Sequence, residues 1–166
     1  MLALAAPSIA ALAIAWLALL LTAPLLPIPV AGFLYVFGSA LCHQISERSF
    51  HLDGAQLPVC ARCLGMYAGV AAGAVAALVG DVRGAGPAKR TRQNVLLAAI
   101  PTIATVALEW AGAWSPSNMT RALAALPLGA AVAFIVTRAV QARPALHYES
   151  CTPSRPAASS RPAPPI

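Results

Sequence analysis

Between Met1 and Leu41 the chain carries no charged side chain, and that run constrains the fold more than any other feature. A bilayer core about 30 Å thick is crossed by roughly 20 mostly apolar residues in a helix. Four segments reach or approach that length: residues 8–26, 64–80, 95–113 and 121–140. A soluble domain has about a quarter of its residues charged, whereas here 10% are charged and 59% apolar. The expected fold is therefore all-α, a multispanning transmembrane helical bundle, with residues 1–143 as one membrane domain. A secretory signal peptide would begin with positive charge. Here the first basic residue is Arg48, and Pro24, Pro27 and Pro29 supply the exit turn of a helix. The first segment reads as a retained span.

Residues 30–41 are apolar but number only twelve, about 18 Å as a helix and too short to cross. Phe33, Tyr35 and Phe37 suit an interfacial or half-inserted helix, because aromatic rings favour the headgroup level. A fifth crossing is the alternative. Orientation follows from the basic residues. The 81–94 loop carries Arg83, Lys89, Arg90 and Arg92 against Asp81, and the C-terminal end carries Arg138, Arg143, Arg155 and Arg161. The positive-inside rule places both in the cytoplasm. In the 42–63 segment Arg48 and Arg62 are balanced by Glu47 and Asp53, so this segment faces outward. The formal net charge of +6 thereby becomes a topology signal, and no nucleic-acid partner is expected. From Pro144 onward, six prolines among Ser, Ala and Arg cannot offset the entropy of ordering. Residues 144–166 are expected to be a disordered cytoplasmic tail in which Cys151 is a reduced thiol.

In lipid, close backbone approach and van der Waals contact drive helix association. Gly65, Gly69 and Gly73 recur every fourth residue, with Ala77 continuing the series, and form a packing face for a helix of this chain, a second copy or a membrane partner. In the third span Thr102, Thr105 and Glu109 make one polar stripe at helical spacing. A carboxylate in the bilayer costs about 2.5–3.5 kcal/mol at the helix centre and faces the bundle interior or a wet cavity. Glu109 is expected either to pair with Arg121, Arg62 or Arg48, or to act as a proton acceptor beside a site.

The chemistry concentrates in the 42–63 segment, which holds three of the four cysteines and two of the three histidines. It contains Cys42-His43-Gln44, Arg48-Ser49-Phe50 and Pro58-Val59-Cys60-Ala61-Arg62-Cys63-Leu64-Gly65-Met66-Tyr67, running on to Gly69. In these blocks the chain resembles a family of prokaryotic integral membrane proteins classed as a domain of unknown function. That family is recognised by Cys-His-Gln, Arg-Ser-Phe and Pro-Val-Cys-Ala-Arg-Cys-x-Gly-x-Tyr-x-Gly. The resemblance covers about 28 residues; it implies a small multispanning membrane protein and supplies no established activity. The family pattern carries Asp-Gly in the following span, where this chain has Glu109-Trp110.

Three readings of Cys60-x-x-Cys63 stay open. As metal ligands the two thiolates are joined by Cys42 or His43 toward a tetrahedral site, and sulfur favours zinc, copper(I) or an iron–sulfur centre. As redox thiols the pair is activated by Arg62 and by the start of a helix, with Cys42 as a resolving thiol. As a structural disulfide the pair leaves Cys42 over. A c-type haem attachment needs His after the second cysteine, where Leu64 stands. Around this centre Gln44, Arg48, Arg62, Tyr67, Glu109 and Arg121 are candidate supporting or ion-pairing residues. Each also has a plainer role: Arg48 pairing with Asp53 or with a lipid phosphate, Tyr67 as an interface anchor, Asn118 and Arg121 as helix-boundary residues, and His51 as a solvated side chain. No Gly-rich phosphate loop, Gly-x-Ser-x-Gly or His-Glu-x-x-His motif occurs. The function classes that remain are a metal-binding membrane protein, a membrane thiol oxidoreductase and a non-catalytic subunit of a membrane assembly.

Overall fold

The computed structural model describes residues 5–80 and 88–149. Helix α1 (Ala5–Thr22) ends in a 3-10 turn at Ala23–Leu25, and α2 (Ile28–Leu41) follows. After a second 3-10 turn at Ser46–Arg48 come two short strands, β1 (Ser49–Leu52) and β2 (Ala55–Cys60), then α3 (Ala61–Val79), α4 (Ala88–Trp110) and α5 (Asn118–Glu149). Four helical segments are long and apolar enough to cross a membrane: Ala5–Leu25, Ala61–Val79, Thr91–Trp110 and Asn118–Gln141. They lie close to the four expected spans. At 14 residues α2 falls short of a crossing. Residues 81–87 and 150–166, which include Asp81, Arg83, Cys151, Arg155 and Arg161, lie outside the described residues.

The bundle is organised around α3 and α5. A Cβ added at Gly65, Gly69 or Gly73 would collide with the backbone carbonyls of Ala122, Leu126 and Ala130 in α5, and one at Gly129 with the carbonyl of Met66 in α3. The contact is thus reciprocal and backbone to backbone, a distance at which Cα–H groups meet carbonyl oxygens. The partner that the sequence leaves open is α5 of the same chain, which leaves no room on this face for another one. Helix α1 joins through Ala10, packed with Ala74 and Ala133. Helix α4 leans on α5, where the Thr102 hydroxyl donates to the Ala124 carbonyl at 2.7 Å and Thr105 turns to the Thr102 carbonyl at 2.9 Å.

Two parts of the chain depart from expectation. The 42–63 segment contains an antiparallel hairpin, with Leu52 opposite Ala55. Its two-residue turn is Asp53-Gly54, at φ +50° and +84°, which is the left-handed pair a type I′ turn requires and which Asp-Gly favours. Helix α5 runs through Pro144 to Glu149, past the boundary expected at residue 143. Extending an existing helix needs no new nucleus, and a proline near the end of a helix removes only one of its N–H donors.

Gly69 and Gly32 form a matched pair for testing the seam. A Cβ at Gly32 meets nothing within 4 Å. Gly69→Ala is expected to destabilise the detergent-solubilised protein by about 1–3 kcal/mol or more, while Gly32→Ala is neutral or stabilising by roughly 0.5–1 kcal/mol. Thermal unfolding of the two variants beside wild type measures the difference.

Candidate metal centre

The chain brings its cysteines together by stopping one helix, reversing direction and starting another. Cys42 caps α2 in extended geometry, its N–H reaching the Gly38 carbonyl at 2.8 Å. The hairpin then returns the chain so that β2 lies along α2. Gly38 permits this approach, since a Cβ there would collide with the Pro58 carbonyl. Gln44, at φ +51°, holds the two together: its amide donates to the carbonyls of Tyr35 at 2.8 Å and Pro58 at 2.7 Å. Gln56 donates in turn to the Gln44 carbonyl at 2.6 Å, and the Tyr35 hydroxyl donates to the Gln56 carbonyl. Cys60 is both the end of β2 and the cap preceding α3, which puts Cys63 in the first turn of that helix.

The outcome is a cluster of three free thiols, Cys42 buried and Cys60 and Cys63 half-buried. Their sulfurs lie within 4.8 Å of one another. A metal bound at about 2.3 Å sets thiolate sulfurs roughly 3.8–4.0 Å apart, so small side-chain rotations close the set on an ion. The backbone N–H of Cys60 points at the Cys42 sulfur at 3.2 Å. A hydrogen bond from the Cys63 thiol holds the Cys60 thiol down to about 5, against the opposing effect of burial and with help from the Cys63 and Arg62 backbone N–H groups. On one side the thiols meet an apolar cluster of Leu20, Leu57, Val59 and Leu64, bordered by Trp16 and Tyr67. Trp16 stands edge-on to Tyr67 with centroids 6.1 Å apart. Tyr67 is therefore part of the wall behind the sulfurs.

On the other side is a carboxylate ringed by guanidinium groups. Glu109, whose side chain is 9% exposed, lies 2.9 Å from Arg121, 3.0 Å from Arg62 and 3.1 Å from Arg48. Every one of the three expected pairings forms at once, and Arg48 pairs here instead of with Asp53. The positions oppose the helix dipoles: an anion in the last turn of α4, and cations in the first turns of α3 and α5. Each charge on its own would be disfavoured by its helix end, so the three ends are matched to one another. Helix α4 is halted just beyond Glu109 by Gly112 at φ +66°, with Ala113 N–H on the Leu108 carbonyl and Gly112 N–H on the Glu109 carbonyl, a Schellman closure.

Of the expected site residues, His43 is exposed and stands apart from the three-sulfur set. Gln44 serves as a staple between α2 and β2. Asn118 is not the cap of α5. That role falls to Ser117, whose hydroxyl accepts from the Thr120 N–H at 3.2 Å. Asn118 instead bridges the Ser49 carbonyl at 2.9 Å and Arg121 at 3.0 Å, which ties the hairpin to the arginine cluster. His51 lies 3.3 Å from the Ser46 hydroxyl on the exposed rim. Sequence reasoning missed Tyr35, Ser49 and Gln56. The Asp53-Gly54 pair was the available signal for the hairpin that places the last two.

Removing the shared carboxylate leaves three cations facing one another. Glu109→Gln is expected to destabilise the protein by about 3–5 kcal/mol, as for a buried ion pair that loses one partner. Arg48→Gln is expected to lose no more than about 1 kcal/mol, because the Arg48 side chain is 44% exposed. Chemical or thermal unfolding in detergent ranks the two.

A family model described as "Predicted membrane protein (DUF2085)" matches residues 42–135, more than half of the chain. An uncharacterized protein of Methanocaldococcus jannaschii is 48% identical over 42 residues, 25% of this chain and 27% of that protein. An uncharacterized protein of Methanothermobacter thermautotrophicus is 33% identical over 98 residues, 57% of this chain and 83% of that protein. The chain thus spans about a quarter of the first relative and most of the second. No solved structure matches the chain significantly. The matched range begins at the first cysteine of the cluster and takes in Glu109 and all three arginines, and the chain belongs to the DUF2085 family of predicted membrane proteins.

Proposed function

We propose that Cys42, Cys60 and Cys63 hold a thiophilic transition metal, of the zinc or copper(I) class, at one end of a multi-pass membrane bundle. The convergence of three sulfurs from three separate elements is the observation that carries this reading. The N–H donated to the Cys42 sulfur is the kind of outer contact that orients a ligand. Solvent supplies a fourth ligand where the metal requires one, since His43 stands apart from the sulfurs. The distribution of basic residues supports a prokaryotic cytoplasmic membrane with the sulfur cluster outside and the C-terminus in the cytoplasm.

Elemental analysis of gently purified protein, with free thiols counted on the same samples, tests the proposal. About one metal per chain is expected in wild type, with near-complete loss in Cys60→Ser and Cys63→Ser and no loss in Cys151→Ser. Metal-free wild type with all thiols reduced would refute it.

A second reading is favoured by the depressed Cys60 thiol specifically: Cys60 and Cys63 act as an exchanging thiol–disulfide pair, with Cys42 close enough to resolve a mixed disulfide. It predicts metal-free protein in which two thiols are missing and return on reduction. The same thiol count decides between the two readings.

A further inference from the structure

A cavity of about 170 Å³ is lined by the three cysteines together with Arg48, Arg62 and Arg121. It adjoins a larger cavity of about 560 Å³, with Arg48 and Arg121 lining both. Glu109 is the carboxylate shared by the three guanidinium groups, and a surplus of positive charge remains after it is counted. Glu47, on the rim of the larger cavity, is exposed to solvent. Among the described residues, the buried Nε–H groups of Arg62 and Arg121 meet no acceptor, although Arg121 is only 6% exposed. A buried donor left unmet is costly, and guanidinium groups are built to grip tetrahedral oxyanions through paired N–H donors. The N-terminal ends of α3 and α5, which carry Arg62 and Arg121, add positive potential of the same sign.

We propose that the arginine-lined cavity is an oxyanion site that binds a phosphate group, held by Arg48, Arg62 and Arg121 beside the sulfur cluster. The phosphate arrives either as the free ion or as the headgroup of a phospholipid, since both present the same oxygens. The three sulfurs line the same cavity, but the phosphate argument needs no bound metal, so chelator-treated, fully reduced protein is the sample on which to test it.

Two measurements on the full chain in detergent decide the matter: equilibrium dialysis with labelled inorganic phosphate, and phospholipid phosphorus per chain after exhaustive delipidation. Wild type is compared with Arg48→Gln and Arg48→Lys, since Arg48 is the most exposed of the three and its replacement leaves the buried pairs of Glu109 in place. Saturable binding of one inorganic phosphate, weakened about ten-fold or more by Arg48→Gln and partly restored by Arg48→Lys, supports a free-anion site. Retention of one phospholipid per chain, lost in Arg48→Gln and kept in Arg48→Lys, supports a headgroup site. Neither signal in wild type that still melts cooperatively overturns the proposal. So does a phosphate signal of the same strength in all three proteins.

Discussion

Glu109 is a carboxylate at the carbonyl end of one helix, surrounded by arginines from the amide ends of two others and from the 3-10 turn before the hairpin. Alone, Glu109, Arg62 and Arg121 each sit at the end of their helix that repels them. Together they lock α3, α4 and α5 at a common level and bring the hairpin segment down onto them. Low exposure raises the electrostatic strength of each contact and also the cost of leaving any one unmade. The geometry of the mouth therefore depends on this cluster. The thiols are positioned against it, because Arg62 stands between Cys60 and Cys63 in the sequence.

The sulfur cluster and the arginine cluster are two products of the same short segment. Cys-x-x-Cys straddles the strand–helix junction, so Arg62 turns toward Glu109 of α4 while the two cysteines turn toward Cys42. The apolar wall of Trp16, Leu20, Leu64 and Tyr67 excludes water from one side of the thiols, and guanidinium groups supply positive potential on the other. A thiolate is favoured by the second environment and opposed by the first. The depressed Cys60 thiol reflects hydrogen bonds that outweigh burial.

The architecture was readable from the chain because hydrophobic length is a one-dimensional property: four apolar runs predicted four spans with boundaries close to the observed ones. The glycine repeat announced a close approach, but the identity of its partner depends on the path of α5, which meets it through Ala122, Leu126, Gly129 and Ala130 and carries no matching glycine repeat. The chemistry was legible as composition, three cysteines in a segment otherwise distinct from the spans. Its geometry was not, because Gln44 and Gln56 act through backbone carbonyls that leave no pattern in the sequence. His43 was a plausible ligand by type, yet its neighbour Cys42 faces the sulfur set and adjacent residues in extended backbone point to opposite sides. The hairpin was hidden by its shortness, although Asp53-Gly54 is the turn pair that fits left-handed backbone at both positions.

The seam between α3 and α5 also bears on how this bundle moves. Glycine and alanine have no side-chain rotamers to freeze, so the seam forms without that entropic loss and has no alternative packing to hop into. Carbonyls set against bare Cα atoms at every fourth residue leave neither helix free to roll or slide past the other without a backbone collision. The pair must therefore behave as a single rod through the membrane. The seam fixes neither the hairpin nor α4, which are tied to that rod at the mouth by the ion pairs of Glu109.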